Sequence, residues 1–320
     1  MLIKDRIYGN FSIDDPVILE LLKSRPMLRL KGISQFGVPD KYHYIKGFSR
    51  YEHSVGVMIL LRKLGASLEE QGAGLLHDVS HTAFSHVVDW VLGQGKTENF
   101  QDDAHFDFVS GPEVGRILKK YGYSPNRISN LRSYKLLDRE IPDLCADRVD
   151  YAIRQCSSGV VKDTAKDLTI FNGKIVFRTK SSALSFAENF LLLQTSEWAG
   201  FEGSSRYKAF SDVLKRAIDL RLIGIKDFFG DEQSILKTIE KSDDSEIKYG
   251  LAFLRKRSLI GLPLDTDRVY KKFRYVDPEF INKGKLQRVS KAYPKFERKL
   301  KEAMRENKKG LLVASVGFPL

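Results

Sequence analysis

Apolar and polar positions repeat with a helical period over much of the first half of the chain. Asp14-Asp15-Pro16 opens an amphipathic segment through Ile18, Leu21 and Leu22, with Pro16 where a first turn tolerates proline. The apolar run Met58 to Leu61 behind Arg50-Tyr51-Glu52-His53-Ser54-Val55-Gly56-Val57 predicts a second helix, and a third is expected to carry His77-Asp78 and His81. Asp143 to Tyr151 reads as a fourth. Further on, Thr169 to Phe177 places Asn172-Gly173 between two β-branched, apolar runs, which predicts a hairpin. A helical pattern follows from about Ser182 to Leu222, interrupted near Gly200 to Ser205, and another helix is expected from about Glu232. Short strands are expected around Phe273 to Val276, Leu286 to Val289 and Leu311 to Ala314, with Tyr293 to Asn307 helical. The pattern predicts a mainly α chain: a helical bundle over residues 1–165 and a smaller α+β lobe over 166–320. That boundary is soft, because the hairpin has room to pack directly on the helices.

Composition adds limits. At 320 residues and 42% hydrophobic, the chain can bury a large core. No apolar run approaches a membrane span, and Met1-Leu2-Ile3-Lys4-Asp5-Arg6 does not read as a signal peptide. Two cysteines give no disulfide framework, so a reducing cytoplasm is the expected setting. The net charge of +12 points to anionic partners. Between Tyr270 and Lys309, fourteen Lys and Arg stand against five Asp and Glu, with Phe273, Tyr275, Phe280, Tyr293 and Phe296 interleaved. A solvated helix face and a nucleic-acid surface are both open readings of that stretch.

The histidines change the picture most. Four of the six, His53, His77, His81 and His86, fall within 34 residues. Imidazole and carboxylate together suit iron, manganese, nickel or zinc. On helices, His53, His77 and Asp78 can meet at one point, and a carboxylate from Asp143, Asp147 or Asp150 can close the site; spacing leaves those three open. Arg50, one turn before His53, can reach a phosphate bidentately, Arg148 can do likewise, and Tyr151 can stack on or hydrogen-bond a sugar. Ordinary surface pairing is the alternative for the arginines. His43 reads as an ordinary polar residue.

The order His53, His77-Asp78, Asp147 resembles the four-ligand pattern of the HD-domain phosphohydrolases. The extended form His77-Asp78-x-x-His81-x-x-x-x-His86 resembles the deoxynucleoside triphosphate triphosphohydrolase branch. Met27 to Gly37, Phe48 to Val57 and Asp147 to Tyr151 are similar to that branch's segments, over about residues 10–157. The resemblance implies an HD-domain helical bundle with His53, His77, Asp78 and Asp147 as metal ligands. It further implies His81 and His86 at the phosphate, one of them the general acid, His105 as a supporting catalytic histidine and Gln35 at the sugar. Magnesium on the substrate phosphates and a homo-oligomer are implied as well. Two departures weaken the substrate claim: Cys145 stands two positions before the last ligand where the branch is acidic, and Gln155 replaces an aspartate that reads the 3′ hydroxyl. The branch's downstream substrate contacts find no match in Trp198 to Lys208.

The leading expectation is metal-dependent hydrolysis of a deoxynucleoside triphosphate to nucleoside and triphosphate. A nucleotide phosphomonoesterase or phosphodiesterase on the same ion is the alternative. A nucleic-acid-binding protein or nuclease using the basic C-terminal stretch is the reading from a different class.

Overall fold

Ser49 starts the helix on which the first half of the chain is built. In the computed structural model, which describes residues 1–95, 98–156 and 159–317, that helix is Arg50–Lys63. The Ser49 hydroxyl accepts from the Glu52 backbone N–H at 3.2 Å, and the Glu52 carboxylate accepts from the Ser49 N–H at 2.9 Å. This reciprocal cap satisfies two donors the helix cannot satisfy itself. Every residue from His53 to Leu61 is buried, so this is a core helix rather than an amphipathic surface one. Two further helices, Leu68–Leu76 and Ala146–Gln155, pack against it. Gly74 permits the first approach: a Cβ there would lie 2.3 Å from Leu61 Cδ1. The predicted amphipathic segment is the helix Pro16–Lys23, with Val17, Ile18, Leu21 and Leu22 buried and Pro16 in its first turn.

The helix expected to carry His77-Asp78 and His81 stops at Leu76. His77 to His86 is a series of turns, with Val79 N–H donating to Leu76 O and His81 N–H to Asp78 O, both at 2.9 Å. Phe84 and Ser85 take φ of 65° and 47°, in the left-handed region that ends a helix. The cause is tertiary. Ala83 N–H donates to the Phe228 carbonyl at 2.7 Å, and Phe84 N–H to the Glu232 carboxylate at 3.1 Å, so donors that a helix would use internally are taken from outside.

The Asn172-Gly173 hairpin forms as expected, pairing Leu168–Phe171 with Lys174–Phe177, with φ of 50° and 69° at the turn. It is half of a four-stranded sheet, completed by a second hairpin of Glu279–Asn282 and Lys285–Arg288, with Phe177 opposite Phe280 across the parallel junction. The strand at Leu286 to Val289 is therefore present as Lys285–Arg288, and Leu311–Ala314 pairs with Leu264–Val269. Phe273 to Val276 is not a strand. Its extended backbone is pinned by the side chain of Gln194, which accepts from Arg274 N–H at 3.0 Å, instead of by a neighbouring strand. The helical pattern over 182–222 resolves into Lys180–Leu192, a π-helical turn Leu193–Trp198 and Phe201–Asp219. The break lies at Ala199-Gly200, earlier than expected, and Ser204 and Ser205 are inside the second helix. Helices Glu232–Glu240 and Pro294–Lys308 follow the sequence pattern.

The architecture is thus mainly helical with a smaller α+β part. Two apolar clusters hold it, one around Leu61, Leu75, Ile153 and Phe186, the other around Phe84, Phe210, Phe228 and Ile239; each draws residues from both sides of position 165. Among the described residues no helix is long and apolar enough to cross a membrane.

Arg206 ties three segments together. It is 1% exposed, and its guanidinium donates to the carbonyls of Tyr42 (2.8 Å), Leu254 (2.7 Å) and Lys256 (2.8 Å) and to Glu202 (3.2 Å). Replacing it with an apolar side chain orphans those acceptors in the interior. Arg206→Met is expected to lose about 3–5 kcal/mol of stability, seen as a large fall in thermal midpoint by calorimetry. An unchanged midpoint would remove Arg206 from this role.

Candidate metal centre

Three elements bring ligand-type atoms to one point. His53 Nε2, from the middle of its helix, lies 3.0 Å from Asp147 Oδ1 and 3.2 Å from His77 Nε2, and His77 Nε2 lies 3.5 Å from Asp147 Oδ1. Asp78 stands beside them, with Oδ1 3.4 Å from His77 Nε2 and Oδ2 3.8 Å from His53 Nε2. Atoms bound at ~2.0–2.2 Å to one transition ion sit roughly 3 Å apart when adjacent, so these separations suit a shared cation. His53, His77 and Asp147 form a three-ligand group on this measure.

Hydrogen bonds on the far side of each ring decide what those nitrogens offer. His77 Nδ1 donates to the Gly74 carbonyl at 2.8 Å, and a carbonyl only accepts, so Nδ1 carries the proton. His53 Nδ1 donates to the Asp150 carboxylate at 2.8 Å. Both Nε2 atoms are thereby directed at the same point, 3.2 Å apart. That arrangement requires a cation or protons between them, and it fits a resident divalent metal. Asp150 is in turn held by Arg154 Nε at 2.7 Å, and Arg154 reaches Asp5 at 2.6 Å in the turn of an N-terminal hairpin, Leu2–Asp5 with Gly9–Ser12. Gly56 lets this chain pass over the helix: a Cβ there would meet Arg154 Nη2 at 1.9 Å and Asp150 Oδ1 at 2.2 Å.

Of the three carboxylates that spacing left open, Asp147 faces the Nε2 atoms, Asp150 orients His53 from behind, and Asp143 pairs away from the site with Arg288, Lys174 and Arg139. Burial alone would lower the His77 pKa, but the Asp78 and Asp147 carboxylates outweigh it and raise it to about 9. Burial opposes ionisation of Asp78 as well; Arg50 and the surrounding imidazoles overcome it and hold Asp78 well below the usual carboxylate range.

The centre forms part of the wall of a cavity of about 390 Å³. Gln35, Arg50, His81, His86, Arg148 and Tyr151 all line it, as do His77, Asp78 and Asp147. His105 does not; it lies behind, 7% exposed, with Nδ1 3.4 Å from Ser80 Oγ, and burial lowers its pKa to about 4. His81 Nε2 is 3.4 Å from Asp78, and burial together with Arg50 holds His81 neutral. His86 is more open, with Nδ1 3.2 Å from Asp89. The arginines are partly engaged already: Arg50 with Asp78 at 2.7 Å and Ser85 at 3.0 Å, Arg148 with the carbonyls of Asp143 at 2.7 Å and Arg139 at 2.8 Å. Tyr151 meets Trp198 edge to face, with centroids 5.4 Å apart, and Trp198 Nε1 donates to Gln155 at 2.6 Å.

Several cavity residues escaped the sequence reading. His43 lines the wall, stacked on Tyr44, with its pKa lowered to about 4 by burial and Arg206. Trp198 and Glu197 come from the π-helical turn, Phe273 and Arg274 from the stretch expected to be a strand, and Lys271 and Lys272 from just before it. The π turn is the one local signal, since such bulges cluster at functional sites, but it is visible only in the backbone. Glu232, outside the cavity, braces it: its buried carboxylate accepts from Ser34 N–H (2.8 Å) and Phe84 N–H (3.1 Å), and burial lifts its pKa to about 7.

Comparison with known proteins places these observations. A family model described as HD domain matches residues 50–162. The Bacillus subtilis protein YdhJ, itself uncharacterized, is 32% identical over 98% of this chain and 98% of its own. The metal-dependent phosphohydrolase cns2 of Cordyceps militaris is 39% identical over 49% of this chain and 46% of its own. The deoxynucleoside triphosphate triphosphohydrolase SAMHD1 of Mus musculus is 29% identical over 38% of this chain and 22% of its own.

Two outcomes follow from the geometry. Asp150→Asn is expected to weaken metal binding by about 10–100-fold, because an orienting partner of a ligand histidine is lost; chelator competition measures this, and undiminished affinity would contradict the assignment. For Glu232, the folded pKa of about 7 lies above the unfolded value of 4.5, so the folded state holds the proton more tightly. Its stabilising contribution is full below about pH 4.5 and is lost as pH rises through about 7. Glu232→Gln keeps an acceptor for both N–H groups and removes the titration. The melting temperature of this variant relative to wild type should therefore rise between pH 5 and pH 8.5, and a constant difference would refute the shift.

Proposed function

The chain belongs to the HD-domain metal-dependent phosphohydrolase superfamily, and we propose that its substrate is a nucleotide, with a deoxynucleoside triphosphate cleaved to nucleoside and triphosphate. The observation that carries the reading is the convergence of the Nε2 atoms of His53 and His77 with Asp147 on a cavity of about 390 Å³. That volume is in the range of small-molecule sites, roughly 300–1,000 Å³. The similarity to a relative named as a deoxynucleoside triphosphate triphosphohydrolase supports the substrate class.

His53, His77 and Asp147, with Asp78 beside them, would hold iron, manganese, nickel or zinc. When bound, the ion neutralises phosphate charge and lowers the pKa of a coordinated water toward neutrality. The protein's own groups do the rest. Arg50 fixes Asp78 through one guanidinium nitrogen and Ser85 through another. His86 serves as general acid: Asp89 takes its Nδ1 side, leaving Nε2 to hold the proton for the leaving oxygen. His81, kept neutral, hydrogen-bonds within the phosphate site, and its buried Nδ1 has no partner among the described residues. His105 steadies the turn through Ser80 without reaching the cavity. Tyr151 and Trp198 offer aromatic surface to the nucleoside, and among the described residues the buried Oε1 of Gln35 has no hydrogen-bond partner, leaving it for a sugar hydroxyl.

A second reading, phosphomonoester hydrolysis at the same ion, is favoured by one observation: Arg50 and Arg148 already bond to protein groups, which reduces what they can give to a polyphosphate.

Turnover of ribo- and deoxynucleoside mono-, di- and triphosphates by metal-loaded protein, read by chromatographic identification of products, separates the two. Nucleoside and triphosphate are expected from deoxynucleoside triphosphates, with His86→Ala lowering kcat by about 10²–10⁴. Orthophosphate from monophosphates alone would move the substrate to the second reading; no product from any nucleotide would end both.

A further inference from the structure

The cavity wall opposite in sequence to the HD motif is a strap of four consecutive residues, Lys271, Lys272, Phe273 and Arg274, all of which line the cavity. Its backbone is held from two helical segments: Asn307 Nδ2 donates to the Lys271 carbonyl at 3.0 Å, and Arg274 N–H donates to Gln194 Oε1 at 3.0 Å. The strap is therefore fixed before any ligand arrives.

Its charges are not balanced. Lys271 and Arg274 both turn to Glu98: the lysine at 3.5 Å, the arginine in a direct ion pair. Glu98 is 4% exposed and takes φ of 51°, a conformation that a non-glycine residue adopts only when its surroundings hold it there. One carboxylate thus faces two cations. Of the other nearby carboxylates, Asp89 is occupied by His86 and by the Phe100 N–H, and Asp102, which lines the same cavity, acts on Lys272 through space. The Lys271 ammonium also lies 3.7 Å from the centroid of the Tyr207 ring and 4.9 Å from that of Trp90, contacts that soften its burial without neutralising it. Burial lowers its pKa to about 8 despite Glu98 and Asp89. Lys272 is exposed and has no ion-pair partner among the described residues. The Arg274 side chain, 24% exposed, retains open surface in the cavity.

Inner cations in excess of their partner call for an anion; Lys271 also borders a second cavity of about 470 Å³, but all three strap cations line the cavity that carries the metal ligands. Resting on the nucleotide reading above, we propose that the strap 271–274 is the subsite for the phosphates beyond the scissile one, with Arg274 and Lys271 meeting them inside and Lys272 at the mouth. Glu98 sets the spacing of the two inner cations and keeps them from repelling one another in the absence of substrate.

The probes are the magnesium salts of inorganic tripolyphosphate and orthophosphate, titrated calorimetrically into the full chain. Wild type should bind tripolyphosphate more tightly than orthophosphate. Lys272→Ala, at an exposed position, should weaken tripolyphosphate about threefold, Arg274→Gln at least tenfold, and Glu98→Gln should strengthen it. In turnover, KM for nucleoside triphosphates should rise in Lys272→Ala while kcat, and KM for para-nitrophenyl phosphate, stay within twofold. Equal affinity of wild type for the two anions overturns the proposal. So does unchanged tripolyphosphate affinity in both Lys272→Ala and Glu98→Gln, which would leave the ion cluster as a packing contact. Strap-dependent tripolyphosphate binding without turnover of any nucleoside triphosphate upholds the subsite and sinks the substrate reading. Turnover with no strap dependence does the reverse.

Discussion

Two imidazole nitrogens 3.2 Å apart, each aimed at the same point by a hydrogen bond on the opposite side of its ring, set the terms for the rest of the structure. The arrangement is unfavourable without positive charge between them, so everything that fixes the rings must be strong enough to maintain it. For His77 that anchor is the last turn of its own helix. For His53 it is a buried relay through Asp150 and Arg154 to Asp5, which draws the N-terminal hairpin onto the back of the metal centre. Gly56 belongs to the same constraint, since the relay crosses the helix where any side chain would stand. Geometry at the ligands is thus bought by residues that never face the cavity.

The turn from His77 to His86 extends that dependence to the second half of the chain. A continuing helix would stack His77 and His81 on one face, one turn apart. The observed turns instead place His81 against Asp78 and set His81 and His86 edge to face, with ring centroids 5.0 Å apart. What holds the turns is the carbonyl of Phe228 and the carboxylate of Glu232, both far away in sequence. Glu232 also binds Ser34 N–H, whose carbonyl accepts from Ser85 Oγ, which in turn accepts from Arg50. The arginine beside the metal centre and the carboxylate behind the turn are parts of one network.

Legibility in the sequence followed the range of the interaction that decides each element. The helices Pro16–Lys23 and Pro294–Lys308 and the Asn172-Gly173 hairpin were readable because local periodicity and turn chemistry decide them. The clustering of His53, His77 and Asp147 was readable because chemistry-bearing residues recur at helical spacing and in a family order. The choice among Asp143, Asp147 and Asp150 was not available from spacing, for one turn of helix separates metal-facing from ring-orienting carboxylate, and only the rotation of the Ala146–Gln155 helix distinguishes them. The helix through His81 failed because tertiary acceptors outcompeted the local pattern, and the strand at Phe273 to Val276 failed because a glutamine side chain supplied the partner that a strand would have.

That difference in range separates the two questions an enzyme's sequence is asked. The segment matched by the HD family, residues 50–162, contains the ligand-type histidines and aspartates and the acid-base candidates. Trp198, Lys271, Lys272 and Arg274, which shape the remainder of the cavity, lie outside it. Part of the basic C-terminal excess is turned inward, with Arg288 on Asp143 and Lys271 and Arg274 sharing Glu98. Charge that reads in sequence as a surface run is therefore partly cavity wall and partly sheet edge. The chemistry is written in a contiguous motif because the metal needs its ligands within one ion's reach. Selection among substrates is written across the fold, because a nucleotide is longer than that reach and must be met from several elements at once.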